Sequence, residues 1–304
     1  MVKRNILITG GTGAMGCELV AKLAGLGHSV HVLTLPGDPL AAMLDGTGAV
    51  IHYGDVSKPE SLTGICNNID LVFHLAAVII SNDESAFDKV NAAGTANMLR
   101  EAKKADVKHF VHVSSASVTY RRTTSYSLSK RIAERIVRES GVPWTIIRPT
   151  LVYGREGGLE FDMFLSYLRS FPVIPFIGKG DSLKRPVFVE DIIDGFVKLA
   201  SVSEGTGRIY NFSGAEAISM MDFARLCLLL LKREDKKIVC LPVWLCVLAA
   251  GILKRVMKNP PLKWNVIAGV VQDANLDPSG AIKDLDYRPS SVVKRLPECF
   301  PRRK

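Results

Sequence analysis

Short apolar runs alternate with amphipathic stretches through the first half of the chain. Six runs rich in Val, Ile and Leu are predicted strands, at residues 5–9, 29–34, 49–53, 71–75, 108–114 and 144–148. Helical periodicity predicts helices between them, near residues 17–26, 59–67, 86–105 and 127–140. Uninterrupted apolar strands are typical of strands buried on both faces. The alternation therefore predicts an α/β fold, a Rossmann-type doubly wound parallel sheet.

The pattern loosens after Pro149, where helices dominate the prediction. Short strands are predicted near residues 184–189 and 209–212, with a helix at 191–201 that returns to the sheet. We therefore divide the chain of 304 residues into two parts. Residues 1–154, with a returning segment near 184–201, form a dinucleotide-binding domain. Residues 155–304 form a smaller, mostly helical substrate-binding region.

A glycine-rich turn joins the first predicted strand to the first helix. Gly10, Gly13 and Gly16 follow a G-x-x-G-x-x-G spacing. The first glycine permits a tight turn, the second lets backbone amides approach a pyrophosphate, and the third lets the helix pack against the strand. The helix N-terminus offers unpaired N–H groups and a positive dipole end to phosphates. In this strand–turn–helix context the glycines predict a dinucleotide site.

Tyr126 and Lys130 form a Y-x-x-x-K motif at the start of a predicted helix. Residues four apart share a helix face, so the Lys130 ammonium is predicted to lower the pKa of the Tyr126 phenol. Such a phenol suits proton exchange with a substrate hydroxyl. Ser115 follows the preceding strand, at the edge where open α/β sheets bind ligands, and is predicted to hold the reacting oxygen. Ser114 is expected to finish the strand, and Ser117 to bond local backbone.

Together these motifs resemble the extended short-chain dehydrogenase/reductases of the NAD-dependent epimerase/dehydratase family. The resemblance implies an enzyme that uses NAD or NADP, with NAD slightly favoured, and that forms a homodimer. Its further motifs are Gly54-Asp55-Val56, His74-Leu75-Ala76-Ala77, Asn91-Ala92-Ala93-Gly94-Thr95, Arg148-Pro149-Thr150-Leu151-Val152-Tyr153-Gly154 and Arg185-Pro186-Val187-Phe188-Val189-Glu190-Asp191.

The resemblance also implies how single residues serve the cofactor. Asp55 would accept a hydrogen bond from the adenine amino group, and Val56 would pack beside the ring. Ala76 and Ala77 would line the path to the nicotinamide, and Asn91 would lie under the cofactor and organise the active site. The full set of implied cofactor contacts is Gly10, Thr12, Gly13, Ala14, Met15, Gly16, Thr34, Asp55, Val56, Leu75, Ala76, Ala77, Asn91, Tyr126, Lys130 and Pro149.

The same resemblance implies the catalytic and substrate contacts. Lys130 would bond the nicotinamide ribose, Tyr126 would be the acid/base, and Ser115 would hold the substrate oxygen. Pro149 would border the nicotinamide. Arg185 matches the position at which sugar-nucleotide members bind a phosphate, with a surface ion pair as the alternative.

The end of the second predicted strand leaves the choice between NAD and NADP open. Thr34 stands where NAD-preferring members often carry an acid, and Leu35 where NADP-preferring members often carry Arg. Asp38 can reach back, but its Pro-Gly-Asp-Pro context favours a turn residue.

Three functions stay open. The leading hypothesis is hydride transfer between nicotinamide and a carbinol carbon of a nucleotide sugar, as a net oxidation or reduction or as an epimerisation, favoured by Arg185 and a net charge of +9. Apolar segments at 171–177 and 238–253 favour instead a sterol-like or other apolar alcohol. A non-catalytic dinucleotide-binding scaffold or redox sensor is the third, opposed by the joint presence of Ser115, Tyr126 and Lys130.

Residues 238–253 form a run of sixteen residues without a charge, between Lys236-Lys237 and Lys254-Arg255. The run is short for a bilayer span. We expect a buried helix that covers the substrate pocket, with Pro242 in its first turn. The alternative is a monotopic membrane contact whose basic flanks meet anionic head groups.

The remaining composition excludes several classes of site. No long Lys/Arg block indicates nucleic-acid binding. The six histidines are scattered, so no metal site is expected. The six cysteines form no C-x-x-C pair and are expected to be reduced core residues of a cytoplasmic protein whose chain starts directly at its first strand.

Overall fold

The computed structural model describes residues 2–155, 158–202, 205–257, 260 and 262–300. Its strands are β1 (Asn5–Thr9), β2 (Ser29–Thr34), β3 (Val50–Tyr53), β4 (Leu71–His74), β5 (His109–Val113), β6 (Trp144–Pro149), β7 (Val152–Tyr153), β8 (Val173–Ile177), β9 (Leu183–Lys184), β10 (Val187–Phe188), β11 (Ile209–Phe212), β12 (Ile218–Ser219) and β13 (Lys237–Leu241). Its α-helices are α1 (Ala14–Gly25), α2 (Gly94–Lys104), α3 (Ser125–Glu139), α4 (Leu159–Ser170), α5 (Val189–Ala200), α6 (Met220–Leu230), α7 (Val243–Val256), α8 (Trp264–Val271), α9 (Ser279–Leu285) and α10 (Val292–Arg295).

Seven parallel strands form the central sheet, in the order β11-β6-β5-β4-β1-β2-β3. The order reverses between β1 and β4, and ligands of such sheets bind outside the carboxyl ends of the strands at that point. The predicted fold class is confirmed. The seventh strand is β11, which pairs with β6 from Ile209 opposite Ile146 to Phe212 opposite Pro149.

Helices cover both faces of the sheet, as the apolar strands predict. Along β1, Ile6 and Ile8 belong to a core cluster with α1 and α5, whereas Leu7 belongs to a second cluster on the opposite face with α2 and α3. Successive strand residues point to opposite faces, so a strand that is apolar throughout is buried by two helical layers.

Two of the predicted helices differ from the observed ones. The predicted helix at 59–67 is a single 3₁₀ turn, Pro59–Leu62, because Pro59 favours a start and Gly64 at φ +75° ends the turn two residues later. The predicted helix at 86–105 begins as a π-helical segment, Phe87–Ala93, and continues as α2. The wide π turn carries Asn91 into the site described below.

The C-terminal region packs α4 and α6 against β8 around Phe161, Phe176 and Phe223. The expected single helix at 238–253 is wrong in two respects. Residues 237–241 form β13, which pairs with β8, and Pro242 then begins α7 as its N-cap residue. In α7 only Cys246 and Ala250 are buried, so the expected burial of its apolar surface is wrong as well.

The structure bears on two expectations drawn from composition, which concern the cysteines and a metal site. None of the six cysteines, all of which lie in the described residues, is in a disulfide. Three of them are in the core as expected, but Cys17 and Cys299 are half-buried and Cys240 is exposed. The described residues bring together no group of His, Cys, Asp or Glu side chains that could hold a metal. Among the same residues, no helix has both the length and the apolar character that a membrane crossing requires.

Candidate active site

The glycine-rich turn is shaped by contacts that leave no room for side chains at two of its glycines. Gly10 has φ +72°, and a Cβ there would lie 2.8 Å from the Ala76 backbone nitrogen. A Cβ on Gly16 would lie 2.2 Å from the Gly10 carbonyl oxygen. These two glycines are therefore required by the protein's own packing.

Gly13 differs, because nothing in the protein crowds it. It has an ordinary extended backbone, φ −72° and ψ 165°, and the nearest atom to a Cβ would be the Gly10 carbonyl oxygen at 3.4 Å. Gly13 is the N-cap of α1, and no side chain caps that helix end. Ala14 and Met15 begin the helix, so their backbone amides face the open turn. The cradle fits a pyrophosphate, which such helix ends bind.

Asp38 joins the turn to the end of β2. Its Oδ2 accepts hydrogen bonds from the Thr34 hydroxyl at 2.7 Å and from the Thr12 hydroxyl at 2.8 Å, and its Oδ1 accepts from the Leu40 amide at 2.9 Å. These bonds, first that from Thr34, hold the pKa of Asp38 below its usual range. Asp38 is thus both the expected turn residue and an anion beside the dinucleotide cradle.

The residues expected on the adenine side, Asp55 and Val56, lie in local turns beyond β3. The Asp55 carboxylate accepts from the amide and hydroxyl of Ser57, at 2.9 and 2.7 Å. Val56 is buried against Gly94, where a Cβ would lie 2.8 Å from Val56 Cγ2. Leu75 and Ala76 follow β4 and pack partly into the two core clusters, and the Ala76 amide donates to the Thr9 hydroxyl at 3.2 Å.

Asn91 fixes the loop that follows β4. Its Oδ1 accepts from the Val78 amide at 2.8 Å, and its Nδ2 donates to the Val78 carbonyl at 2.9 Å and to the Ser129 hydroxyl at 3.0 Å. Val78 directly follows Ala77, so this fully buried amide ties the nicotinamide side of the loop to α3. Asn91 therefore fixes the loop after β4 through the Val78 backbone and the Ser129 side chain.

Ser115, Tyr126 and Lys130 come together at the carboxyl ends of β5 and β6. Ser115 caps the turn after β5, and its Oγ accepts from the Ser117 amide at 3.1 Å. Its side chain also lies beside the Tyr126 hydroxyl and acts to lower the pKa of that phenol. Lys130 is buried one helical turn beyond Tyr126, and its Nζ donates to the Val113 carbonyl at 2.7 Å. Pro149 is buried as the last residue of β6.

The expected lowering of the Tyr126 pKa by Lys130 is wrong in this structure. Burial of the phenol, reinforced by the carboxylate of Glu160, raises the pKa of Tyr126 well above its usual range and outweighs Ser115. Burial also lowers the pKa of Lys130 to about 8, although Glu134 opposes this shift.

The neighbouring serines differ from one another. The Ser114 hydroxyl donates to Glu134 Oε1 at 2.6 Å, while its amide donates to the Ile147 carbonyl and closes the end of β5 as expected. The expected backbone bond of Ser117 is wrong, because its buried hydroxyl has no hydrogen-bond partner.

A partly buried ion pair that the sequence analysis missed joins α3 to the sheet. Glu134 accepts from Arg148 in a bidentate pair, Nε to Oε1 at 2.8 Å and Nη2 to Oε2 at 2.6 Å. Glu134 lies on α3 one turn beyond Lys130, and Arg148 lies on β6. The pair therefore fixes the catalytic helix against the sheet, with a geometry that suits planar guanidinium and carboxylate groups. In the sequence, the indication of this pair is the position of Glu134, four residues after Lys130.

Two further charged residues of the C-terminal region lie near the site, Glu160 close to Tyr126 and Lys184 over the Tyr120 ring. Glu160, in the first turn of α4, faces Tyr126, Tyr120 and Lys184. It exposes much of its surface, yet desolvation by the surrounding walls raises the pKa of its carboxyl against the lowering effect of Lys184. Lys184 is buried 5.6 Å from the Tyr120 ring centroid, donates to the Gln272 carbonyl, and has its pKa lowered to about 8 by burial.

Arg185 points into a set of acceptors supplied by the protein. Its Nε donates to Asn275 Oδ1 at 2.7 Å, and its Nη1 donates to the Ala215 carbonyl at 2.9 Å and to the Gly214 carbonyl at 3.4 Å. The alternative surface ion pair is not among these bonds of the described residues, and the phosphate contact of Arg185 stays a prediction. The guanidinium serves to join three loops of the C-terminal region.

Comparison with known proteins identifies the family. The model of the NAD dependent epimerase/dehydratase family matches residues 6–213. The chain belongs to this family. The match confirms the expected resemblance, the enzyme class and the nicotinamide dinucleotide cofactor.

Single relatives span different substrate classes. The 3 beta-hydroxysteroid dehydrogenase/Delta 5-->4-isomerase of Mycobacterium tuberculosis is 29% identical over 257 residues, covering 72% of this chain and 67% of that protein. The UDP-glucose 4-epimerase of Vibrio cholerae is 24% identical over 272 residues, covering 79% and 80%. The dTDP-glucose 4,6-dehydratase structure from Streptomyces venezuelae, which holds NAD, superposes with a TM-score of 0.75 at 21% identity, covering 97% of this chain and 95% of that chain. This last likeness concerns the fold.

Proposed function

We propose that this protein is an NAD-dependent dehydrogenase or reductase of a sterol-like or other apolar alcohol. The convergence of Ser115, Tyr126 and Lys130 supports the redox chemistry. The nicotinamide dinucleotide, when bound, accepts or supplies the hydride. The Ser115 hydroxyl holds the reacting oxygen, the Tyr126 hydroxyl exchanges its proton, and Lys130 holds the nicotinamide ribose.

The hydrogen bonds that Arg185 makes within the protein favour the apolar substrate over a nucleotide sugar. A diphosphate needs cationic donors free to bind it, and Nε and Nη1 of Arg185 already bond Asn275 and Ala215. The carboxylate of Glu160 acts on Tyr126, and an anion at this position disfavours a diphosphate beside the phenol. The sequence likeness to a hydroxysteroid dehydrogenase agrees with this choice.

The substrate class is tested with purified protein, NAD and two sets of alcohols. One set contains a 3β-hydroxysteroid and a long-chain secondary alcohol, and the other contains UDP-glucose and dTDP-glucose. We expect NADH absorbance to rise with the apolar set, and no epimer to form from the nucleotide sugars. Turnover of a nucleotide sugar with inert apolar alcohols would show that the proposed substrate is wrong.

We also propose that Asp38 selects NAD over NADP. Its carboxylate is held at the end of β2 by Thr34 and Thr12, so it would repel the extra phosphate on the ribose of NADP. Asp38→Asn keeps the shape and removes the charge. We expect the ratio of the Kd values for NADP and NAD to fall by at least about tenfold, or about 1.4 kcal/mol. An unchanged ratio would contradict this selection.

The remaining expectations concern the surroundings of the protein. We propose a homodimer, following the family resemblance, in the cytoplasm, where the six cysteine thiols stay reduced. Light scattering of the purified protein at several concentrations tests the dimer, and a monomer at micromolar concentration would contradict it.

A further inference from the structure

Helix α7 presents a continuous apolar stripe to solvent. Trp244, Leu248, Ile252 and Val256 recur every four residues and share one face. Their exposed fractions are 68, 54, 53 and 72%. Leu245 and Val247 flank this stripe and are also exposed. Single exposed apolar residues are ordinary, but a contiguous apolar stripe marks a surface that another molecule covers.

The helix is attached to the protein by its other face. Cys246 and Ala250 are buried against Ile267 of α8, with Leu241, Val243 and Val271 packed around them. The exposed stripe is therefore a stable surface of a packed α7–α8 pair. We call these four residues, Trp244, Leu248, Ile252 and Val256, the α7 stripe.

The charged residues that neighbour the stripe in the sequence are all basic. Between residues 236 and 272 the sequence contains six Lys or Arg and no Asp or Glu. Lys237 precedes the helix, and Lys254 and Arg255 lie in its last turn. One acid approaches from elsewhere, because Glu84 pairs with Lys254 at 3.2 Å. An apolar helix with basic ends and a tryptophan is suited to the interface of an anionic membrane.

We propose that the α7 stripe docks on the surface of an anionic phospholipid bilayer. The helix has fourteen residues, about 21 Å at 1.5 Å per residue, which is too short for the roughly 30 Å apolar core of a bilayer. It therefore lies in the plane of the interface. The stripe enters the boundary between head groups and acyl chains, and Lys237, Lys254 and Arg255 contact anionic head groups.

The charges also argue against a second copy of this chain as the occupant. A two-fold interface brings the same surface of both copies together. Such an interface on the α7 stripe would place Lys254 and Arg255 of each copy in one basic environment, and like charges across an interface are unfavourable. A bilayer surface supplies the opposite charge.

The docking surface is connected to the loops that border Tyr126. The Trp264 indole of α8 donates to the Thr123 carbonyl at 3.1 Å, and Thr124 caps the helix that carries Tyr126. A cavity of about 450 Å³ opens at the start of α7, lined by Ile177, Leu241, Val243 and Val271 among others. The docking proposal does not depend on the proposed function. An entry route for an apolar alcohol from the membrane does rest on the proposed function.

Vesicle flotation tests the docking. Purified protein is mixed with vesicles of phosphatidylcholine alone or with phosphatidylglycerol, at low salt and at about 1 M salt, where the Debye length is about 3 Å. We expect flotation with the anionic vesicles that weakens at high salt. Trp244→Ser/Leu248→Ser should lower the partition coefficient at least about tenfold. The matched control is Val50→Ser/Ile282→Ser, which removes two exposed apolar side chains elsewhere and should float like the unchanged protein.

Three results would overturn the proposal. The first is that the unchanged protein does not float with anionic vesicles. The second is that the control variant loses as much vesicle binding as Trp244→Ser/Leu248→Ser. The third is that the protein binds no vesicles but forms a dimer, which Trp244→Ser/Leu248→Ser converts to monomers. The last result would assign the stripe to a second copy. Flotation that persists while apolar alcohols are inert would instead contradict the proposed substrate and support the docking.

Discussion

Gly13 and Gly16 lie three residues apart in one turn, yet a side chain meets different surroundings at each. Gly13→Val fits the extended backbone, with the nearest atom at 3.4 Å from its Cβ. We expect it to fold normally and to weaken NAD binding at least about tenfold, because the side chain occupies the space of the pyrophosphate. Calorimetric titration with NAD, together with thermal unfolding, measures both effects.

The comparison variant is Gly16→Ala, whose Cβ would lie 2.2 Å from a backbone oxygen. It should destabilise the protein by about 1–3 kcal/mol or more, as overpacking does. NAD binding by a folded Gly13→Val protein at unchanged affinity would refute the assignment of the cradle.

The raised pKa of Tyr126 means that the phenol is protonated across the neutral range. Tyr126→Phe removes this proton and should lower kcat by about a hundredfold or more, the effect of losing a general acid/base. Binding of NAD should survive, since the ring and Lys130 remain. Steady-state kinetics with the apolar alcohol and NAD titration measure the two parameters. Near-normal kcat would exclude Tyr126 as the proton-transfer group.

At the level of elements, a bidentate pair between the buried Glu134 and the partly exposed Arg148 joins helix α3 to β6. Glu134→Ala removes the carboxylate to which both the Arg148 guanidinium and the Ser114 hydroxyl donate hydrogen bonds. Removing one partner of a fully buried pair costs about 3–5 kcal/mol. Because Arg148 is partly exposed, we expect the free energy of unfolding in urea to fall by a smaller amount, about 1–3 kcal/mol. Glu139→Ala, on an exposed position of the same helix, should stay within about 0.5 kcal/mol of the unchanged protein. Similar losses in both variants would contradict this assignment.

Helix α7 shows where local pattern stops being informative. The apolar run at 238–253 and Pro242 correctly indicate an ordered apolar segment, and Pro242 does begin a helix. Whether the apolar surface is buried depends on what packs against it. In this protein α8 covers one narrow face, and Trp244 on the other side remains exposed.

Across the whole molecule, three buried neutral histidines predict a loss of stability in mild acid. Burial lowers the pKa of His74 to about 3, of His109 to about 4, and of His112 well below its usual range. The unfolded chain binds protons at these sites near pH 6.5, but the folded protein does not. Stability is therefore full above about pH 6.5 and falls as the pH drops toward 4.

The expected size can be measured in urea. Each histidine contributes about 2 kcal/mol of lost stability at pH 5, and the three together give a slope of about 4 kcal/mol per pH unit near pH 5.5. Urea unfolding at pH 7, 6 and 5.5 measures this slope. A flat profile over that interval would show that these histidines are protonated in the folded state.

The sequence by itself determined the sheet, the dinucleotide turn and the spacing of Tyr126 and Lys130. Period-two burial, glycine conformation and helical spacing are local properties, so they can be obtained from neighbouring residues. Only the tertiary structure decided which atoms Lys130, Asp38 and Arg185 contact, because their partners lie far away in the chain or depend on the path of a loop. The tertiary structure likewise decided the shifted pKa of Tyr126 and the exposure of α7. Burial and electrostatic environment are set by everything that surrounds a side chain, and no stretch of sequence contains all of those neighbours.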